Sequence, residues 1–278
     1  MTEVPHRVLV PVEILRGEAI PEALVEALAP VPVVLLGYHE IPEQTAPGQA
    51  RMQFEEKAQA KLEELVRAFE DAGGTVATRL VFTHDPMKTF ERVAVELECD
   101  AVCLLNPATA LERILVPVRG DVNVTHIAEL VGTLLVGGDA DVTLFHVALE
   151  EEDRAEATAL LESAAETLLE IGLEADRILE TVVVDDDPLE TIVEVADDHD
   201  LVVIGESRPS IRDRIFGDPS ESIAAQTVSP VLVVRRRYLE MSDEEREERA
   251  EELEETADEF EGSDEPADED EPVEDRPG

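Results

Sequence analysis

The chain is poor in several residue types, and each shortage excludes a class of protein. Its 278 residues include no tryptophan, two tyrosines and two cysteines. Cys99 and Cys103 do not form a CxxC pair, so we expect two buried free thiols rather than a disulfide framework or a redox site. No apolar run approaches the roughly 18 residues that span a membrane, and no signal peptide precedes Arg7. We therefore expect a soluble, cytoplasmic protein that does not insert into membranes.

Positive charge is also scarce, because 67 acidic residues face 22 basic ones and the formal net charge is −45. Such a surface repels itself at low salt, whereas at molar salt a Debye length of ~3 Å screens the repulsion. The composition is typical of a salt-adapted, halophilic cytoplasm, with an acidic protein of an ordinary cytoplasm as the alternative. In either case we predict no binding to nucleic acid or to anionic membranes.

The sequence repeats one whole folding unit. RVLVPV at 7–12 returns as RILVPV at 113–118, and HDPMKTFERVAVELECDAVCLL at 84–105 returns as DDPLETIVEVADDHDLVVIG at 186–205. Each copy is far longer than a solenoid repeat of roughly 20–50 residues. We predict a degenerate first domain over residues 1–110, a second domain over 111–238 and an acidic tail over 239–278 that is helical and then disordered.

Each repeat alternates short apolar runs with longer amphipathic runs, which predicts an α/β fold. The predicted strands are 8–12, 31–37, 76–82, 101–105, 114–118, 141–147, 178–184, 201–204 and 231–234. The predicted helices are 49–72, 86–97, 125–136, 153–171, 188–196 and one that starts at 220–226, with Asp85 and Asp187 as caps. Continuous Val/Leu/Ile strands between helices indicate two tandem, doubly wound parallel-sheet domains. The first is truncated, since no fifth strand and no glycine loop fit before residue 111.

The segment after the predicted strand 201–204 has the composition of an anion-binding loop. It reads GESRPSIRDRIFGDPS over residues 205–220. Ligands of open parallel sheets bind beyond the carboxyl ends of the strands. Glycines let the backbone approach a phosphate, and a helix N-terminus offers it free N–H groups. The candidate ligand-binding residues are Gly205, Arg208, Arg212, Gly217, Ser220 and, after the strand 114–118, Arg119.

The same residues have a purely structural interpretation. Asp218, Pro219 and Glu221 make a well-capped helix start. The carboxylates of Asp218 and Glu221 would repel a phosphate. The arginines would then pair with neighbouring acids. The run Asp185–Asp187 has two interpretations as well, a Mg²⁺ site or a solvated loop that caps a helix. The six histidines are scattered without metal-ligand spacing, so we name no metal site and no catalytic residue.

The repeated LVPV strand, the DP helix, the VVIG strand, the glycine loop and the closing PVLVVRR strand resemble the universal stress protein family. The resemblance covers roughly residues 7–237 and is stronger in the second repeat. It implies a five-stranded fold of the adenine-nucleotide α-hydrolase type. It also implies a homodimer that associates through the last strand, here Val231–Val234. The repeat itself leads us to expect that the two domains pack against each other.

The resemblance further implies ATP or AMP, with Mg²⁺, as the ligand to test. Nucleotide-binding members of the family carry the motif G-x2-G-x9-G-[S/T]. Here Gly205 and Gly217 match its first and third glycines, Arg208 stands in place of the second, and Asp218 replaces the Ser or Thr. The family's acidic residue after the first strand is replaced by Arg119 in the second repeat.

Three functions remain open from the sequence. The first is a stress-related regulatory protein without catalysis that senses an adenine nucleotide or another small anion at the loop 205–220. The second is an interaction and dimerisation module that binds no nucleotide. The third is a slow nucleotide hydrolase or nucleotidyl transferase, for which no nucleophile or acid–base pair is identified.

Overall fold

The computed structural model describes residues 6–106, 110–119, 124–135, 137–205 and 226–235. Contacts within the chain divide it into residues 1–236 and 237–278, and all described residues lie in the first part. The predicted acidic tail and nearly all of the helix predicted from 220 therefore lie outside the described residues. The domain boundaries proposed from the sequence remain a prediction.

The first repeat forms four parallel strands and three helices. In chain order they are β1 (Val8–Glu13), α1 (Glu22–Leu28), β2 (Val33–Glu40), α2 (Pro47–Asp71), β3 (Val76–Thr83), α3 (Pro86–Glu96) and β4 (Ala101–Leu104). Helix α3 begins as predicted, because the side chain of Asp85 accepts a hydrogen bond from the backbone N–H of Lys88. The short helix α1 was missed by the sequence analysis.

The second repeat follows the same order. Its elements are β5 (Arg113–Pro117), α4 (Val124–Leu135), β6 (Asp141–Ala148), α5 (Arg154–Ile171), β7 (Ile178–Val184), α6 (Pro188–Ala196), β8 (Leu201–Gly205) and β9 (Val231–Val234). Asp187 caps α6 by accepting from the N–H of Glu190, and Asp185 accepts from the N–H of Asp187. The Asp185–Asp187 run thus forms the capped loop that was one of its two interpretations.

All nine described strands form one sheet, in the order β3-β2-β1-β4-β9-β8-β5-β6-β7. Every neighbouring pair is parallel except β4 and β9, which are antiparallel and join the two repeats. The join pairs Ala101 with Val234 and Leu104 with Val231. The side-chain amide of Asn106 extends it by donating to the carbonyls of Thr227 and Ser229.

The join corrects one prediction from the sequence. Val231–Val234 was predicted to be an edge strand that pairs with a second copy of the chain. In the structure β9 is central, because β4 occupies one of its edges and β8 the other. Its backbone groups are therefore already paired within the chain, and a dimer cannot form through this strand without breaking one of those ladders.

Apolar residues alternate between the two faces of the sheet, as helices on both sides require. In β1, Val8, Val10 and Val12 face a core built with α1, α2, α4 and α5, and this core is continuous through both repeats. Leu9 faces the opposite side, where α3 covers the first repeat and a separate cluster with Ala196 of α6 covers the second. The doubly wound arrangement predicted from the sequence is confirmed.

Both cysteines lie in this interior. Cys99 and Cys103 are free thiols and are buried, as predicted. Burial raises the pKa of Cys103 to about 12 and that of Cys99 to about 11. Both side chains therefore remain protonated at neutral pH and act as small apolar groups.

Candidate functional site

Two of the six candidate residues lie at the carboxyl edge of the second repeat. Strand β5 pairs with β8 so that Leu115 lies beside Val202. Continued along both strands, this register brings Val118 level with Gly205, and Arg119 lies one residue beyond it. Arg119 is exposed, so its guanidinium is accessible to a ligand at this edge.

The other four candidates, Arg208, Arg212, Gly217 and Ser220, lie outside the described residues. The loop that was predicted to cradle a phosphate is therefore represented here only by its first residue. The assignment of these residues to a ligand site stays a prediction.

Gly205 has a packing role that is visible in the structure. A Cβ at this position would lie 3.0 Å from Cδ1 of Ile127, which belongs to the second turn of α4. Only a residue without a side chain allows α4 and the end of β8 to come this close without a shift. Close approach of helix and strand therefore accounts for a glycine here, in addition to any contact with a ligand.

The equivalent edge of the first repeat is filled by its own side chains. Glu13, at the end of β1, is buried, and its carboxylate lies 2.8 Å from Nδ1 of His39. The same carboxylate accepts a hydrogen bond from the N–H of Glu40, while the N–H of Glu13 donates to the carboxylate of Glu18 at 2.6 Å. This acidic residue is the one that the second repeat replaces with Arg119.

Burial, together with neighbouring acidic groups, shifts two pKa values upward at the first edge. Removal from water raises the pKa of Glu18, and the charge of Glu13 raises it further, against the lowering effect of the hydrogen bond from the Glu13 N–H. Removal from water and the nearby charges of Glu18 and Glu13 raise the pKa of Tyr38 to about 12. The edge therefore disfavours further negative charge, and a phosphate would be repelled there.

A cluster that the sequence analysis did not identify lies across the join between the repeats. His6 precedes β1, Asp100 precedes β4, and His126 lies in the first turn of α4. One ligand atom from each of these side chains lies within 4.8 Å of the other two. Burial on its own would raise the pKa of Asp100, but His126, the N–H of Arg7 and the charge of His6 lower it overall.

This cluster lies at the same end of the strands as Gly205. The antiparallel join pairs Ala101 with Val234, and Val234 in turn pairs with Gly205. The amino end of β4 and the carboxyl end of β8 are therefore two strands apart, or about 10 Å at the usual strand spacing. The first repeat thus contributes side chains next to the candidate site of the second.

Comparison with known proteins finds a family match for the second repeat. Residues 110–235 match the sequence model of the universal stress protein family. This segment is therefore similar to the universal stress protein family. The match includes Arg119, Gly205 and the join strand β9, and it confirms the resemblance described from the motifs. A search of curated protein sequences found no significant match.

Solved structures extend the likeness to both repeats. A universal stress protein from Archaeoglobus fulgidus aligns with 84% of this chain and 97% of its own, with a TM-score of 0.59 and 16% identity. A functionally unknown protein from Pseudomonas aeruginosa aligns with 92% of this chain and 98% of its own, with a TM-score of 0.51 and 15% identity. At these identities the likeness shows a shared fold.

A third structure is a universal stress protein from Archaeoglobus fulgidus in complex with dAMP. It aligns with 44% of this chain and 97% of its own, with a TM-score of 0.36 and 23% identity.

Among the described residues of the present chain, no helix is long and apolar enough to cross a membrane.

Proposed function

We propose that this protein is a regulatory member of the universal stress protein family that binds an adenine nucleotide or another small anion and does not act as an enzyme. The ligand would lie at the carboxyl edge of the second repeat. The observation that carries the proposal is the exposure of Arg119 just after β5, the strand that pairs with β8, within the segment that matches the family.

Charge and position support this assignment. The chain carries a net charge of −45, so an exposed arginine at the carboxyl edge of a parallel sheet is a rare attractive group for an anion. A guanidinium can hold a phosphate with two parallel hydrogen bonds. Binding rather than catalysis is favoured because a glycine and an arginine supply contacts and charge, and neither is a nucleophile at neutral pH.

Calorimetric titration of the full chain tests the proposal. The protein in molar KCl is titrated with ATP, ADP and AMP, each with Mg²⁺, after mass spectrometry of any small molecule that co-purifies. We expect one nucleotide to bind and Arg119→Glu to weaken binding by about 10–100-fold, the range for loss of a hydrogen bond to a charged group. Arg67→Glu, the same charge change on the exposed side of α2, is the matched control.

The role of Gly205 needs a variant that separates packing from ligand contact. Gly205→Ala places a methyl group against Cδ1 of Ile127, and Ile127→Val removes that carbon. If the nucleotide uses the backbone at Gly205, binding stays weak in the double variant although its stability recovers. If neither Arg119→Glu nor the Gly205→Ala, Ile127→Val double variant changes the affinity for any of the three nucleotides, the site is wrongly assigned.

The join favours a second candidate function, an interaction module that binds no nucleotide. In this case the first repeat serves as a built-in partner, since β4 occupies the edge of β9 that would otherwise be exposed. If the chain is an interaction module of this kind, we expect no heat of binding with any of the three nucleotides. Sedimentation over a range of protein concentrations would then show whether the chain associates by a surface other than β9.

A further inference from the structure

Three side chains from distant parts of the sequence meet where the two repeats join. Two come from the first repeat, His6 and Asp100, and one from the second, His126. Their ligand atoms lie within 4.8 Å of one another, although 120 residues separate the two histidines. Two imidazoles and a carboxylate form a donor set that proteins use for Zn²⁺.

His126 is the buried member of the cluster whose imidazole lacks a hydrogen bond. The residue is only 5% exposed, and neither of its ring nitrogens has a hydrogen-bond partner. Its Nε2 lies 3.5 Å from Oδ1 of Asp100. A buried polar atom without a partner costs about 1–3 kcal/mol, so a group that satisfies the imidazole would stabilise the protein.

The spacing suits a tetrahedral metal ion. Bonds of roughly 2.0–2.2 Å from Zn²⁺ to nitrogen and oxygen, at tetrahedral angles, separate neighbouring ligand atoms by about 3.4 Å. The 3.5 Å between Nε2 of His126 and Oδ1 of Asp100 agrees with that separation. Three protein ligands leave a fourth position for water or another small ligand.

Neighbouring groups fix the carboxyl group of Asp100 and place a second carboxylate near His126. The N–H of Arg7 donates to Oδ2 of Asp100 at 2.9 Å, which fixes the carboxyl group while Oδ1 faces His126. On the other side of the imidazole, Nδ1 of His126 lies 3.9 Å from a carboxylate oxygen of Glu129. A carboxylate behind a metal-bound histidine is a recurrent arrangement that raises the basicity of the ligand.

We propose that His6, Asp100 and His126 bind one Zn²⁺ ion that fastens the first repeat to helix α4 of the second. The ion holds the start of β1 and the start of β4 against the first turn of α4. This site is distinct from the proposed nucleotide site, because none of its three ligands is among the candidate residues there, and its occupancy does not require a nucleotide.

The test is a metal titration of the full chain. The protein is stripped with EDTA, dialysed into molar KCl to screen the acidic surface, and titrated with Zn²⁺ against a chromogenic chelator. We expect one tight site per chain, and Co²⁺ in place of Zn²⁺ should give the intense visible absorption of a four-coordinate complex. His126→Ala and His6→Ala should each weaken Zn²⁺ binding at least about 100-fold, beyond the loss typical of an outer-shell partner.

His84→Ala is the matched control, because His84 is a partly buried histidine of the first repeat whose Nδ1 lies 3.2 Å from the carbonyl oxygen of Ile41, away from the cluster. It should leave Zn²⁺ affinity unchanged. Circular dichroism verifies that each variant is folded, and His126→Gln replaces His126→Ala if the smaller side chain unfolds the protein. Zn²⁺ should also raise the Tm of the unmodified chain by several degrees and leave that of His6→Ala unchanged.

Equal Zn²⁺ affinity in the unmodified chain and in the His6 and His126 variants would overturn the proposal, because the ion would then be held by other groups such as the acidic surface. Absence of a tight site in the unmodified chain would overturn it as well. Neither result would affect the proposed nucleotide site, since that assignment is tested by the effect of Arg119→Glu on nucleotide affinity and Arg119 is not a ligand of the proposed ion.

Discussion

The two repeats share a fold, but their carboxyl edges have opposite character. In the first repeat Glu13 is buried and paired with His39, so the edge is satisfied by its own residues. In the second repeat the corresponding position is the exposed Arg119, beside the level of Gly205. The first edge is thus filled by its own side chains, whereas the second leaves an arginine exposed where we propose that an anion binds.

The strands at the centre and at the outside of the sheet differ as clearly. At the centre, β9 is paired on both edges and Leu232 is 1% exposed. At the outside, β7 is paired on one edge and Leu179 is 60% exposed. Stability should therefore depend far more on the join than on the outer strands, although each strand is part of the same sheet.

The largest effect is expected from a cavity in the join. Leu232→Ala removes a side chain that packs in the core common to both repeats, and such truncations cost about 2–5 kcal/mol. Leu179→Ala, on the outer strand β7, should cost less than about 0.5 kcal/mol. Urea unfolding of both variants in molar KCl measures the difference. Similar midpoints for the two variants would show that the join does not hold the repeats together.

A smaller effect should separate the two carboxyl edges. Glu13→Ala leaves Nδ1 of His39 and the N–H of Glu40 without their acceptor, so we expect a loss of about 1–3 kcal/mol in the free energy of unfolding. Nucleotide affinity should not change. Arg119→Glu should do the reverse, with weaker nucleotide binding and little change in stability. Weaker nucleotide binding in Glu13→Ala would place a ligand at the first edge and contradict this division.

The smallest effect concerns pH. Because the folded protein raises the pKa of Glu18, the protonated carboxyl is favoured by folding, and its contribution to stability is present below its ordinary pKa and lost as pH rises through the raised value. Glu18→Gln keeps an oxygen for the N–H of Glu13 and removes the charge.

The Glu18→Gln chain should therefore be more stable than the unmodified chain at pH 7, by about 1 °C in Tm for a change of this size at the surface. The advantage should vanish below about pH 4, where the carboxyl is protonated in both the folded and the unfolded chain. Thermal melts of both proteins across this pH range measure it. A constant difference at all pH values would mean that the charge of Glu18 is not the cause.

The elements that local sequence determines were predicted well. Asp85 and Asp187 cap their helices through hydrogen bonds to residues three positions on, so the signal lies within one turn. The β-strands are short apolar runs between helices, and their bounds differ from the prediction by at most a few residues. Helix α1 was missed because it has only seven residues and no side-chain cap at its start.

The features that depend on pairing between distant segments were not predictable in the same way. Nothing in the local sequence of β9 specifies that its free edge pairs with β4 in the antiparallel direction. The cluster of His6, Asp100 and His126 was missed for the same reason, because it arises only once the join has formed. A search for histidines that precede or follow the apolar runs of both repeats would have included His6, but nothing would have paired it with His126.

The antiparallel join has a consequence for how the protein responds to its own abundance. When two separate chains share a sheet, dilution drives them apart, and the paired state depends on how much protein is present. Here both partners belong to one chain, so their local concentration is fixed by the tether between β4 and β9 and does not fall on dilution. The paired form therefore persists at any expression level, unlike a pair that is made from two separate chains.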